Sequence, residues 1–179
     1  MSIQSPLVFW ITGLSGSGKT TLAKDLADYL KASSLNPIIL DGDQIREIIL
    51  SDASYDRDAR LKVANFNSRL CRLLALQGQC VICPTISLFK DVQKWNRKNI
   101  PGYVEIFIDA PIAVLRQRDP KGIYSKFESD ITKNVVGLDI KAEMPERPDF
   151  RLTMDFNTKI RQSSACLLSF AEKLIKHES

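Results

Sequence analysis

A glycine-rich turn near the start of the chain constrains the fold more than any other feature. Residues 13–20 read Gly-Leu-Ser-Gly-Ser-Gly-Lys-Thr, which matches the pattern GxxxxGK[ST]. The turn follows the apolar run LVFWIT at 7–12 and precedes KTTLAKDLADYLKAS at 19–33, in which apolar residues recur at helical spacing. The sequence therefore predicts a strand, a phosphate-binding turn and a helix in that order.

The rest of the chain alternates between strand-like and helix-like patterns. Short apolar runs rich in branched or aromatic residues are typical of buried parallel strands. The further predicted strands cover 37–41, 80–85, 104–109 and 151–154. The further predicted helices cover 59–78 and 157–176, and the apolar face expected for the first of them contains Leu70, Leu73, Leu74 and Leu76. This order predicts a three-layer α/β/α fold around a mainly parallel five-stranded sheet.

Composition narrows the classes of protein. The 179 residues are 44% hydrophobic and 26% charged, which fits one globular domain over 1–179. The net charge of +4 is weak support for a protein that handles anions, and no apolar run near the start is long enough for a membrane span. We therefore expect a cytoplasmic protein that binds neither nucleic acid nor membrane.

The metal-binding and redox residues are few. Cys80 and Cys83 have CxxC spacing, but an odd separation within a strand points two side chains to opposite faces of the sheet. Buried, reduced cysteines are therefore expected. His177 is the only histidine, which excludes catalytic triads built on histidine and most zinc sites.

The residue types of the turn define its chemistry. Glycines allow the main-chain N–H groups to form a concave anion site, which the start of the following helix reinforces. Lys19 adds a positive charge for the β- and γ-phosphates, and the Thr20 hydroxyl is placed to bind Mg²⁺. A nucleoside triphosphate, with ATP favoured, and Mg²⁺ are the predicted cofactors. The residues predicted to contact the nucleotide are Gly13, Ser15, Gly16, Ser17, Gly18, Lys19, Thr20 and Thr21.

Three classes of protein share such a turn. A switch GTPase should contain an NKxD guanine motif, which is absent, and the only DxxG candidate, at 119–122, comes too late in the chain. An ATPase could use Asp109, but Glu105 interrupts that strand and no glutamate follows to activate water. A small-molecule kinase has positive support from the segment LDGDQIREIIL at 40–50.

This segment places two carboxylates at the carboxyl end of the second predicted strand. Ligands bind at that edge in open α/β folds, so Asp41 and Asp43 could accept a hydroxyl proton or hold Mg²⁺. Arg46, one turn into the next helix, could bind an anionic group of the acceptor. The alternative is that Asp-Gly-Asp is a helix cap whose charges are solvated.

Several motifs together resemble the adenylylsulfate kinase family. GLSGSGKTTLA, LDGDQIREIIL, TIS, IDAP and RDPKGIY occur in that family's order and spacing, over roughly 7–154. The resemblance implies an ATP-dependent kinase that phosphorylates the ribose 3′-hydroxyl of adenosine 5′-phosphosulfate, as in sulfate assimilation. It also implies a mobile lid at about 119–148 and a possible homodimer.

The resemblance also implies roles for individual residues. Asp41 would be the base or the magnesium partner, with Asp43 supporting it. Ser87 would lie next to the phosphate path. Arg118 and Lys121 would belong to the lid, with Arg118 contacting the nucleotide. The residues assigned to the acceptor are Asp43, Arg46, Tyr55, Arg60, Ile86, Ser87, Lys121, Lys133 and Val135.

The chain departs from the family pattern around the acceptor. The lid triplet FTG, whose phenylalanine stacks on adenine in the family, is replaced by Val135-Val136-Gly137, and the other aromatic wall is Tyr55. ISP has become Ile86-Ser87-Leu88, and an Asn-Ile-Arg-Arg stretch has become VANF at 63–66. The substrate could be unchanged. Alternatively, the acceptor could be the smaller cytidine diphosphoramidate, the substrate of a capsule-associated branch that resembles this family.

Overall fold

The described residues form one α/β fold around a parallel sheet. The structure, a computed structural model, describes residues 6–49 and 55–177, so parts of the domain predicted for 1–179 lie outside it. The strands are β1 (Val8–Gly13), β2 (Ile38–Ile39), β3 (Val81–Thr85), β4 (Tyr103–Asp109) and β5 (Phe150–Thr153). They are ordered β2-β3-β1-β4-β5, and every pair is parallel. The predicted fold class is confirmed, although β2 is shorter than expected.

Seven helices connect and cover these strands in the described part of the chain. They are α1 (Lys19–Ala32), α2 (Gly42–Ile49), α3 (Arg57–Ala75), α4 (Lys90–Asn99), α5 (Ile112–Arg118), α6 (Ile123–Glu128) and α7 (Ile160–His177). None of these helices has the length and apolar character needed to cross a bilayer. Helices α4, α5 and α6 were not predicted from the sequence pattern.

Alternating side chains of β1 divide the core into two layers. Phe9 and Ile11 pack with the buried faces of α1 and α7, whereas Val8 and Trp10 pack with α3 and α4. Cys80 belongs to the first layer and Cys83 to the second, which confirms that the CxxC pair is split across the sheet. Both thiols are free, and burial raises the pKa of Cys80 to about 11.

The apolar face predicted for α3 is half right, because Leu70 and Leu74 pack against the core whereas Leu73 and Leu76 do not. Leu73 is 55% exposed and Leu76 is 57% exposed. At 3.6 residues per turn, Leu73 lies about 200° around the helix from the buried Cys71. The helix faces the core mainly with small side chains, which are Ala59, Val63, Ala64, Asn67, Ser68, Cys71 and Ala75.

Candidate active site

The turn after β1 forms a cradle at the carboxyl edge of the central strand. Gly16 and Gly18 adopt φ angles of 74° and 91°, in the left-handed region that favours glycine. A Cβ on Gly13 would lie 2.8 Å from the Ile108 carbonyl oxygen, so a glycine lets β1 approach β4 there. We call residues 13–20 the phosphate loop. It borders a cavity of about 160 Å³ that is also lined by Asp41 and Asp43.

Lys19 is held within the phosphate loop. Its Nζ donates a hydrogen bond to the Leu14 carbonyl oxygen at 2.8 Å. Desolvation by burial lowers the pKa of Lys19 to about 8. Lys19 is also the first residue of α1, so an anion bound there would meet both the ammonium group and the N-terminus of the helix.

Asp41 connects the phosphate loop to α2. Its Oδ2 accepts a hydrogen bond from the Thr20 hydroxyl at 3.1 Å, and its Oδ1 accepts one from the Asp43 N–H at 2.9 Å. The Asp41 carboxylate therefore caps the start of α2, which agrees with the helix-cap alternative. It also contacts the phosphate loop through Thr20. Two oxygen ligands of this kind suit Mg²⁺, which is commonly held by one or two protein groups and substrate phosphates. Within 6–49 and 55–177, no cluster of three or more His, Cys, Asp or Glu residues offers a separate metal site.

Asp43 stands between two parts of the cleft. It lines the cavity of the phosphate loop and also a larger cleft of about 370 Å³. Its Oδ2 lies 2.7 Å from the Lys121 Nζ. Burial opposes ionisation of Asp43, but the hydrogen bond and charge of Lys121, with further charges from Lys19 and Arg60, outweigh burial and lower the pKa. The group is therefore a carboxylate at neutral pH.

The larger cleft, which we call the acceptor cleft, is basic and partly aromatic. Arg46 is 8% exposed, and its guanidinium lies 4.0 Å from the centre of the Tyr55 ring. Arg60 lies 5.3 Å from the same ring and donates to the Asn134 carbonyl oxygen at 2.7 Å. The residues predicted for the acceptor that line this cleft are Asp43, Arg46, Tyr55, Arg60, Ile86, Lys121, Lys133 and Val135.

Ser87 lines a smaller pocket that adjoins the acceptor cleft. The pocket is shared with Arg46 and has apolar walls that include Val63 and Phe89. Among the described residues, neither the Ser87 hydroxyl nor the Arg46 Nη2 has a hydrogen-bond partner, although both are buried. Buried polar groups are normally paired, so these two are suited to bind a polar ligand.

The wall that replaces the family's aromatic triplet is packed against the phosphate loop. The N–H groups of Asn134 and Val135 donate to the Asp139 carboxylate at 2.7 and 2.5 Å. Gly137 has a φ of 92°, and a Cβ there would lie 2.8 Å from Leu14 Cδ2. The turn thus presents two buried valines to the cleft and contacts the loop residue that accepts the Lys19 hydrogen bond.

A third cleft opens on the other side of the phosphate loop. Arg118, whose contact with the nucleotide stays a prediction, lines this cleft and donates to the carbonyl oxygens of Asp155 and Thr158 at 3.0 and 2.6 Å. Sequence reasoning missed its neighbours Phe156 and Pro120. The sequence signal that could have found this cleft is Phe156, an aromatic residue in a polar stretch of the chain. Its side chain is 60% exposed.

Other residues considered from the sequence lie elsewhere or have structural contacts. Asp109, the acid of the ATPase alternative, forms an ion pair with Arg151 at 2.7 Å. Glu105 is 3% exposed and pairs with Arg97. Trp10 is fully buried, whereas Trp95 is only partly buried.

Comparisons with known proteins agree with this architecture. The family profile described as adenylylsulphate kinase matches residues 5–153. A cytidine diphosphoramidate kinase of Campylobacter jejuni is 43% identical over 142 residues, which cover 79% of this chain and 83% of the relative. An adenylyl-sulfate kinase of Aeromonas hydrophila is 39% identical over 152 residues, covering 83% of this chain and 77% of the relative.

A solved structure supports the same assignment. The Mycobacterium tuberculosis APS kinase in complex with AMPPNP and APS aligns with a TM-score of 0.83 and 29% identity. The alignment covers 94% of this chain and 98% of that chain. These matches agree with the order of the motifs and with the phosphate loop beside two aspartates. The chain therefore belongs to the adenylylsulfate kinase family.

Proposed function

We propose that the protein transfers the γ-phosphoryl group of ATP to the ribose 3′-hydroxyl of a small nucleotide of the adenosine 5′-phosphosulfate type. The observation that carries this proposal is the position of Asp43. This carboxylate borders both the cavity of the phosphate loop and the acceptor cleft. A hydroxyl bound beside Asp43 would face the loop and could lose its proton to the carboxylate as the phosphoryl group arrives.

The donor site combines the phosphate loop with the third cleft. Gly16, Gly18 and Thr21 line both the cavity of the phosphate loop and the third cleft. A triphosphate on the loop could therefore extend its nucleoside toward Phe156 and Arg118. Aromatic and guanidinium groups are suitable partners for a base. In this arrangement Thr20 and Asp41 would hold Mg²⁺, which supplies charge neutralisation on the phosphates.

Asp41 and Asp43 take different roles in this proposal. Asp41 already contacts the Thr20 hydroxyl and lies on the donor side, which suits a magnesium partner. Asp43 borders the acceptor cleft and suits the base. Arg46, Arg60 and Ser87 would bind the anionic groups at the acceptor's 5′ end, because two of them keep buried hydrogen-bonding atoms without partners in the described chain.

A second acceptor, cytidine diphosphoramidate, has its own support. The Val135-Val136-Gly137 turn offers no aromatic face, so it suits a base with less area to stack, and the aromatic residue that lines the cleft is Tyr55. The relative with 43% identity is named for that activity. With this acceptor, the protein would act in capsule modification. The cytoplasmic location stays a prediction from the sequence, and the homodimer stays a prediction from the family resemblance.

One experiment tests the proposal and separates the acceptors. The purified chain is incubated with Mg²⁺, ATP labelled in the γ-phosphoryl group, and either adenosine 5′-phosphosulfate or cytidine diphosphoramidate, and the labelled products are located by phosphorus NMR. We expect a 3′-phosphate on one acceptor, with kcat/KM at least tenfold above the other. The Lys19→Ala variant, which should fold normally, is expected to transfer nothing. Transfer to neither acceptor would overturn the proposal.

A further inference from the structure

A tyrosine in the segment after α5 contacts the phosphate loop directly. Tyr124 lies in α6, is 2% exposed, and donates a hydrogen bond from its hydroxyl to the Ser15 carbonyl oxygen at 3.0 Å. Residues 15 and 124 are far apart in sequence, so this bond fixes the loop from outside it. The family motif RDPKGIY includes this tyrosine, and the roles assigned above do not use it.

The hydrogen bond to the Ser15 carbonyl also fixes the direction of the Gly16 N–H, because both groups belong to one peptide bond. The C=O of Ser15 and the N–H of Gly16 belong to one planar trans peptide, so they point in opposite directions. Because Tyr124 holds the Ser15 carbonyl on the buried side, the Gly16 N–H is directed away from Tyr124. Within the described residues this N–H has no hydrogen-bond acceptor. Gly16 borders both the cavity of the phosphate loop and the third cleft.

The segment that bears Tyr124 is itself fixed. The Asp119 carboxylate accepts hydrogen bonds from the N–H groups of Tyr124 and Ser125 at 3.2 and 2.9 Å. Pro120 lies close to Gly16, where a Cβ would meet its Cδ at 3.4 Å. The loop peptide is therefore held by a hydrogen bond and by a nearby ring from the same short segment.

We propose that Tyr124 is a positioning residue that aims the Gly16 N–H at the phosphates of the bound triphosphate. This inference rests on the proposed function. Burial raises the pKa of Tyr124 to about 12, so the hydroxyl remains a donor throughout the neutral range. Negative charge grows on the leaving phosphate in phosphoryl transfer, and a fixed donor stabilises it more in the transition state than in the ground state. Loss of the tyrosine hydroxyl should therefore lower kcat more than ATP affinity.

The test compares Tyr124→Phe with Tyr103→Phe. The control removes another tyrosine hydroxyl, which bonds to Glu105 Oε1 at 3.1 Å at the far end of β4 from the phosphate loop. For Tyr124→Phe we expect kcat to fall at least tenfold while the KM for ATP changes less than threefold. For Tyr103→Phe we expect kcat within twofold of the wild-type value. Urea unfolding of both variants measures how much stability each lost bond costs.

Two outcomes would overturn the inference. One is a kcat within twofold of wild type for Tyr124→Phe, and the other is an equal loss of kcat in both variants. If the wild-type chain transfers nothing to either nucleotide, the proposed function fails separately. The inference is then judged by the ¹⁵N–¹H NMR signal of Gly16, whose displacement by Mg²⁺ and AMPPNP should be clearly smaller in Tyr124→Phe. An equal displacement in the two proteins would contradict it.

Discussion

The Lys121 ammonium and the Asp43 carboxylate form an ion pair of 2.7 Å that joins residues 78 positions apart in the chain. Asp43 follows β2, whereas Lys121 belongs to the segment between α5 and α6. Both residues line the acceptor cleft. Because Lys121 offsets the burial of Asp43 and lowers its pKa, the proposed base depends on a residue of the predicted lid.

Replacing Lys121 should change the pH dependence of the reaction. The pKa of Asp43 lies below its usual range in the wild type and should rise when the cation is removed. A carboxylate base works above its pKa, so the acid limb of kcat/KM should move to higher pH in Lys121→Met. We also expect kcat/KM at neutral pH to fall about tenfold, because the positive charge of Lys121 is lost from the acceptor cleft. The loss should stay below the 10²–10⁴-fold that a general base contributes, since Asp43 itself remains. A pH–rate profile measures both effects.

The matched control for that variant is Lys173→Met, which removes an exposed lysine from α7. It should reproduce the wild-type profile. An acid limb that stays in place in Lys121→Met would show that Asp43 is not the group whose ionisation the profile reports.

Binding of a triphosphate should be accompanied by proton uptake above pH 8. Lys19 has a pKa of about 8 because it is desolvated, so at pH 8.5 most of the unliganded protein carries it neutral. A bound polyanion favours the charged form and raises this pKa, so the protein must take up a proton. Calorimetry with Mg²⁺ and AMPPNP in buffers of different ionisation enthalpy measures the number of protons. At pH 6.5 the uptake by this group should vanish, and in Lys19→Met it should be absent at both pH values.

The sequence predicts local features of this protein well and distant contacts poorly. The phosphate loop was predictable because glycines, lysine and threonine act within eight consecutive residues. The buried face of α3 was predictable only in part: Leu70 and Leu74 pack against the core, but Leu73 and Leu76 are exposed because small side chains around Cys71 form the buried face. Pairing of Lys121 with Asp43 depends on how a long connection folds back over the sheet, and no spacing in the sequence encodes that.

Gly137 should tolerate a side chain less well than another glycine of similar conformation. Gly137 and Gly78 have φ angles of 92° and 75°, so alanine is strained at both, by about 1–2 kcal/mol. At Gly137 the added Cβ would also lie 2.8 Å from Leu14 Cδ2, whereas at Gly78 nothing lies within 4 Å. Gly137→Ala should therefore lower the free energy of unfolding more than Gly78→Ala, as measured in urea. It should also raise the acceptor KM several-fold, because Val135 and Val136 would shift. Equal stability losses in the two variants would argue against the contact with Leu14.

Asp41→Asn should separate the metal role of this residue from its role as a helix cap. Asparagine can still accept the hydrogen bond from the Asp43 N–H, so α2 should keep its start and the variant should fold. The lost negative charge, however, should weaken Mg²⁺ binding beside Thr20. We expect kcat to fall on the order of 10²-fold with a small change in ATP affinity, as for a group that acts mainly in the transition state. The Mg²⁺ concentration for half-maximal rate should rise as well. Asp109→Asn, which disrupts an ion pair with Arg151 at the end of β4, is the control and should leave both quantities unchanged. A loss confined to ATP affinity would assign Asp41 to nucleotide binding instead.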